Sequence, residues 1–312
     1  MLFSNFSESV DTLSPPFVGK GSGHSYRLMI DKYVRYLFIA CAVFMTAAIL
    51  SIIAFVGNQG LETFKDVSIS EFFLSAKWNP DEQQFGALSF IAGSVAVTML
   101  AIVIGAPLGL AGAVFMAKVA PEALRAIMRP ATDLYVAIPS VVYGWVGLTV
   151  FIPWIRREFN IGTGFGLLGT GLILAVMILP TVISISEDAL RAVPHSLEEA
   201  SLALGATRWQ TIRRVLLPAA MPGILTSVIL AMARAIGETT AVQMLIGNTP
   251  QMPKGLFAPT TTLPSEIIID MGNTPFSSVW NNALFLMAFV LLIISLLMIV
   301  AIRAIAKRRA FQ

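Results

Sequence analysis

Apolar residues dominate six stretches of the chain, Tyr36 to Gly57, Leu88 to Met116, Leu134 to Ile155, Gly166 to Ile185, Ala219 to Ile246 and Val279 to Ile302, and polar residues gather between them. Each stretch meets the length of about 20 residues that the hydrocarbon core of a bilayer requires. None shows the period-two alternation of a membrane barrel strand, and backbone groups in lipid must bond within their own segment. The pattern predicts an all-α integral membrane protein, a bundle of six transmembrane helices. Composition agrees, since 56% of the 312 residues are hydrophobic and 12% are charged, far more apolar surface than one soluble core buries.

The polar segments set the expected domain plan. Residues 1–32 read as a flexible cytoplasmic tail, with Pro-Pro and Gly-Ser-Gly elements and no apolar core of signal-peptide length. Insertion is then expected to rely on the first span, within which Cys41 reads as a small apolar residue. Residues 33–312 read as a single transmembrane domain. Lys and Arg are unevenly shared. Of 21 basic residues, fifteen fall in the tail, around 118–129, around 191–214 and after Ile302, whereas Lys65, Lys77, Arg156, Arg157 and Lys254 fall in the alternate segments. This asymmetry predicts that both termini are cytoplasmic. It also accounts for the formal charge of +3 without nucleic acid. Residues 58–87 and 247–278 are then long external loops, each a packed cap or a docking surface, with Thr261 expected to be reachable from outside.

Enzyme motifs are not supported. "GTGFGLLGTG" holds a G-x-G-x-x-G pattern but follows no strand, and the histidines, His24 and His195, stand apart from any ligand cluster or nucleophile pair. No catalytic site, metal or cofactor is expected in this chain.

Within residues 187–218, an expected cytoplasmic loop, two short helices are predicted. Ser196 with Glu199 reads as a capping box starting a helix at Leu197, Gly205 stops it, and Thr207 with Gln210 reads as a second box whose helix Pro218 ends or kinks. Such a pair could be a structural hairpin, a DNA-binding helix-turn-helix on a membrane-anchored regulator, or a knob with Leu202, Leu204 and Trp209 as anchors. Membrane spans close to both ends leave little freedom to enter a DNA groove.

"EASLALGATRWQTIRRVLLP" resembles the EAA loop of permease subunits in binding-protein-dependent ABC importers, at Glu199, Ala200, Gly205, Leu217 and Pro218, with Ser201 and Val215 as mild departures. "AIPSVVYGWVG" (Ala137 to Gly147), the Trp78 to Leu88 segment and "ARAIGETTAVQMLIGNT" (Ala233 to Thr249) are similar to PstC-type permeases of phosphate-specific importers. The resemblance implies a type I importer bundle whose coupling loop docks on an ATPase, through Glu199, Ala200, Leu202, Leu204, Gly205, Trp209 and Pro218. It also implies a PstA-like second permease, two PstB-like subunits that bind the ATP, a PstS-like external phosphate-binding protein and surrounding membrane lipids. Phosphonate, sulfate or molybdate are the alternative oxyanions.

The fifth stretch carries two charges, Arg234 and Glu238. Four residues apart on a helix, they share a face and are expected to touch. A buried ion pair adds little stability, and charges inside membranes usually face a pathway. For an oxyanion, Arg234 offers a planar fork of donors and Glu238 a resting partner that keeps binding weak. Thr239, Ser140 and Tyr143 are expected to line the same path.

Overall fold

The computed structural model describes the backbone of residues 23–309 and the side-chain surroundings of residues 32–304. Helix α1 (Gly23–Leu61) already includes the last part of the expected tail; the earlier tail residues lie outside the described residues. Its stretch up to Phe55 belongs to a unit of its own and is exposed on every face from Lys32 to Phe55. A helix apolar all round suits a lipid environment.

The second unit, Val56–Gln312, follows in chain order as α2 (Ile69–Leu74), a two-residue hairpin of β1 (Trp78–Asn79) and β2 (Gln84–Phe85), α3 (Leu88–Val114), α4 (Glu122–Val136), α5 (Ser140–Val146), α6 (Ile152–Glu158), α7 (Leu167–Arg191), α8 (His195–Ala203), α9 (Arg208–Thr211), α10 (Leu217–Ile236), α11 (Thr240–Leu245), α12 (Leu263–Met271) and α13 (Val279–Arg309). Helices α3, α7 and α10 pack together. Glycines let α3 and α7 approach closely, for a Cβ at Gly109 would stand 2.7 Å from Val182 and one at Gly105 2.8 Å from Ile178. Small residues at such contacts replace the hydrophobic drive that lipid removes. The resulting core holds Val97, Ala101, Leu174, Ile178, Val182 and Ala231.

Two of the six expected spans are not single straight helices. Between α4 and the α5–α6 segment the chain bends by 94°, because Pro139, at φ −60° and ψ 141°, cannot continue a helix and disfavours it one residue earlier. The fifth is interrupted at Gly237–Thr239, between α10 and α11. Conversely, Pro218 does not end a helix. The stretch Arg208–Ile236 runs through it, since a π turn over Ile212–Leu216 widens the helix just ahead of the proline ring.

The 58–87 and 247–278 segments each contribute residues to a packed core. Phe72, Trp78, Phe85 and Phe90 are buried with Leu263, Leu284 and Met287, and Asp270 Oδ2 accepts from the indole N–H groups of both Trp78 and Trp280 at 3.0 Å. Thr261, expected to be reachable, is fully buried where its carbonyl closes on Gly93 of α3. Apolar packing drew this polar-looking stretch inside.

Burial, reinforced by Asp270 nearby, pushes the α12 carboxyl Glu266 up to about 8. Its folded pKa lies above its unfolded value, so the unfolded chain releases this proton first as pH rises. Its contribution to stability therefore falls between the unfolded carboxylate range and about pH 8. Glu266→Gln should match the wild type in thermal stability near pH 4, below the unfolded carboxylate pKa, and exceed it near pH 8. Parallel melting curves of the purified protein at the two pH values check this; an equal gap at both would contradict it.

Candidate transport site and coupling hairpin

The two breaks lie close together. Helix α11 packs on α5 so tightly that a Cβ on Gly144 would meet Met244 Sδ at 2.6 Å and Ala241 Cα at 3.2 Å. Each short helix starts at its break, α5 after Pro139 and α11 after Thr239. Non-helical backbone at membrane depth persists only where protein covers it or water reaches it.

Arg234 sits in the last turn of α10, where the helix dipole favours a cation. Its side chain is half-buried, and among the described residues no carboxylate lies within ion-pair distance of it. The expected contact with Glu238 is not formed. The helix ends at Ile236, so the four-residue spacing no longer places both side chains on one face, and Glu238 Oε1 instead accepts from the Ala241 amide at 3.2 Å, capping α11. Thr239 is turned locally, its hydroxyl donating to Gly237 O at 3.3 Å.

Tyr143 is buried in the same core cluster as Ala231 and Ala235, the α10 residues on either side of Arg234. The Tyr143 hydroxyl donates to Tyr135 O at 2.8 Å, tying α5 back to α4 across the Pro139 bend. Ser140 is half-buried in the first turn of α5. Sequence reading missed a polar contact between spans, where Ser186 of α7 and Ser227 of α10 meet hydroxyl to hydroxyl at 2.7 Å, both fully buried. It also missed Glu187, buried beside them in sequence and paired with Arg191 one turn on. A carboxylate with a cation four residues later was its only visible signal.

The hairpin of α8 and α9 forms with one of its two expected caps. Thr207 and Gln210 make the reciprocal box, at 3.3 Å and 2.8 Å. Ser196 does not cap: α8 starts at His195 behind Pro194, and Glu199 pairs with His195 at 3.1 Å. Pro194 holds the N-cap position itself, two residues ahead of the serine, so Ser196 already lies inside the first turn. Gly205 stops α8 at φ +82°, in the left-handed region that favours glycine. Lys118 holds Glu198 at 2.6 Å and Ser201 meets Thr211 at 2.9 Å, so the hairpin is braced from both sides. Its rim is apolar and open, with Leu202, Leu204 and Trp209 exposed, Leu204 at 90%. Glu199, Ala200 and Pro218 are also exposed.

Apolar spans, broken helices around a buried-edge cation and an open hairpin define a multi-span membrane transport subunit. Residues 105–311 match the family model described as binding-protein-dependent transport system inner membrane component. The chain belongs to that family, as a membrane permease subunit of an ABC importer. It is 50% identical over 292 residues to the probable ABC transporter permease protein YqgH of Bacillus subtilis, covering 92% of this chain and 94% of the relative. It is 32% identical over 317 residues to the phosphate transport system permease protein PstC of Xylella fastidiosa, covering 95% and 97%. A solved bacterial alginate ABC transporter, in complex with a pentasaccharide-bound periplasmic protein, shares the fold at a TM-score of 0.62 and 16% identity, over 91% of this chain and 98% of that one.

If Glu238 serves as the cap of α11, Glu238→Ala should lower the stability of the purified protein by about 1 kcal/mol, the usual worth of such a cap. Glu238→Gln keeps an oxygen for the Ala241 amide and should lose much less. Thermal unfolding of the two variants side by side measures the difference, and equal losses would point to charge rather than capping.

Proposed function

We propose that this chain is the PstC-type permease subunit of an ATP-driven phosphate importer, lining half of an anion pathway and docking on an ATPase through the α8–α9 hairpin. The observation that carries this reading is Arg234, a half-buried cation that has no carboxylate partner among the described residues, where two broken helices meet. A guanidinium held at that depth offers two parallel donors to a tetrahedral oxyanion. Because Glu238 is committed to α11, the fork is open to an incoming anion. With Tyr143 anchored to Tyr135, the wall beside it is fixed rather than closing around the substrate, which suits a site that must release.

The near full-length similarity to a phosphate permease supports phosphate over sulfate, molybdate or phosphonate. The partners follow from the same reading: a PstA-like permease completing the pathway, PstB-like ATPases gripping Leu202, Leu204 and Trp209, and a PstS-like protein delivering phosphate from outside. Glu199, Ala200, Gly205 and Pro218 then shape the coupling surface. Thr239 and Ser140 stand at the two breaks as further pathway hydroxyls.

Reconstituted with its partners, the importer should take up labelled phosphate, and excess sulfate, molybdate or phosphonate should not compete. Arg234→Ala should abolish uptake while the complex still assembles, and Arg234→Lys should fall between the two. Exchanging the charges, Arg234→Glu with Glu238→Arg, should not restore uptake, because the two side chains do not form a pair. Full uptake by Arg234→Ala would sink the pathway role, and competition by another oxyanion would sink the substrate.

With both termini cytoplasmic, a cysteine at Gly255, in an open position, should be labelled by an impermeant reagent in intact cells lacking Cys41. A cysteine at Gln210 should be labelled only once the membrane is opened. The reverse pattern would invert the map and take the ATPase-facing role from the hairpin.

A further inference from the structure

A cleft of about 830 Å³ opens beside the end of α6, with Leu148, Ile152, Pro153, Arg156, Arg157 and Thr163 in its lining. No carboxylate lines it, and among the described residues neither guanidinium has an ion-pair partner, although Glu158 is next in the chain. The turn that closes the cleft is built, not loose. Gly164, at φ +77°, lies so near α6 that a Cβ there would meet Ile152 O at 2.7 Å and the Arg156 stem at 3.3 Å. The Ile161 amide returns to Arg156 O at 3.2 Å.

Its place along the chain says what reaches it. The apolar run of α5 and α6 ends at Ile155, with exposed Trp154 beside it and the two arginines next. Apolar residues, then tryptophan, then cations is the order found where a span leaves hydrocarbon for headgroups. Phe159 packs against Phe257 nearby in a tilted arrangement, at 4.9 Å between centroids, at the same end of α6.

We propose that this cleft binds one anionic phospholipid, its headgroup phosphate on Arg156 and Arg157 with the Thr163 hydroxyl, and the upper part of an acyl chain on Leu148, Ile152 and Pro153. Free phosphate would satisfy the two arginines but leave the apolar wall without an occupant. Arg156 and Arg157, both exposed, are thereby given a counter-ion that no carboxylate among the described residues supplies. The site is independent of which substrate the importer carries.

Native mass spectrometry of the full complex from nanodiscs containing phosphatidylglycerol and phosphatidylcholine tests this. Wild type should retain phosphatidylglycerol about tenfold more than Arg156→Gln with Arg157→Gln, from two cations near a headgroup. Lys254→Gln should retain it as the wild type does, and the double lysine variant should recover part of the difference. Millimolar inorganic phosphate should not displace the lipid. Equal retention by wild type and the double glutamine variant would overturn the proposal. So would displacement by inorganic phosphate, which would assign the cleft to the free anion.

Discussion

Peptide groups inside a membrane have no water to bond, and this requirement governs the chain from α1 to α13. Wherever the backbone is regular, each amide finds its carbonyl within the same helix. At 137–139 and 237–239 the regular ladder stops, the amides of Ala137, Ile138 and Glu238 turning back to carbonyls three residues earlier, and there the fold gathers its polar groups: Tyr143 reaching Tyr135 O, Glu238 capping α11, and Arg234 at the end of α10. Proline and glycine create the breaks, and the breaks create a polar interior. An arginine kept in such a place answers to the same rule, because the local loss of helix admits the groups and the water that a charge needs.

Much of this was legible from sequence, and the reasons for each success and failure are physical. Long apolar runs located the spans, since length and hydropathy are properties of a segment alone. The Thr207–Gln210 box and the Gly205 stop were legible because they are set within a few residues. The Ser196 box and the Arg234–Glu238 pair were misread for a shared reason. Both inferences assumed a helix phase that a neighbouring proline or glycine had already reset. Thr261 was misplaced because its burial depends on Gly93, far away in sequence. The hydroxyl contact between Ser186 and Ser227 likewise needs the packing of α7 on α10, which no local pattern contains.

The hairpin of α8 and α9 joins this interior to the surface by short, rigid links. Lys118 ties it to the end of the α3 helix, the Ser201–Thr211 contact closes it, and the stretch beginning at Arg208 continues without interruption to Ile236, two residues beyond Arg234. The exposed Trp209, at the start of this helical rod, and Arg234, near its end, therefore belong to one continuous element.

That rod is not a uniform α-helix. Its π turn at Ile212–Leu216 carries one residue more than the α-helical spacing needs, as do those at Phe115–Val119 and Gly147–Phe151. One extra residue turns everything beyond it by about 100°. The face that α10 shows to α7 and the face that α9 shows to the hairpin thus belong to two different phases of a single winding, joined by a built-in slip. In a lineage of such proteins, loss of that residue would preserve the apolar character of every position and yet rotate the rim against the interior, like a gear reassembled one tooth out of mesh.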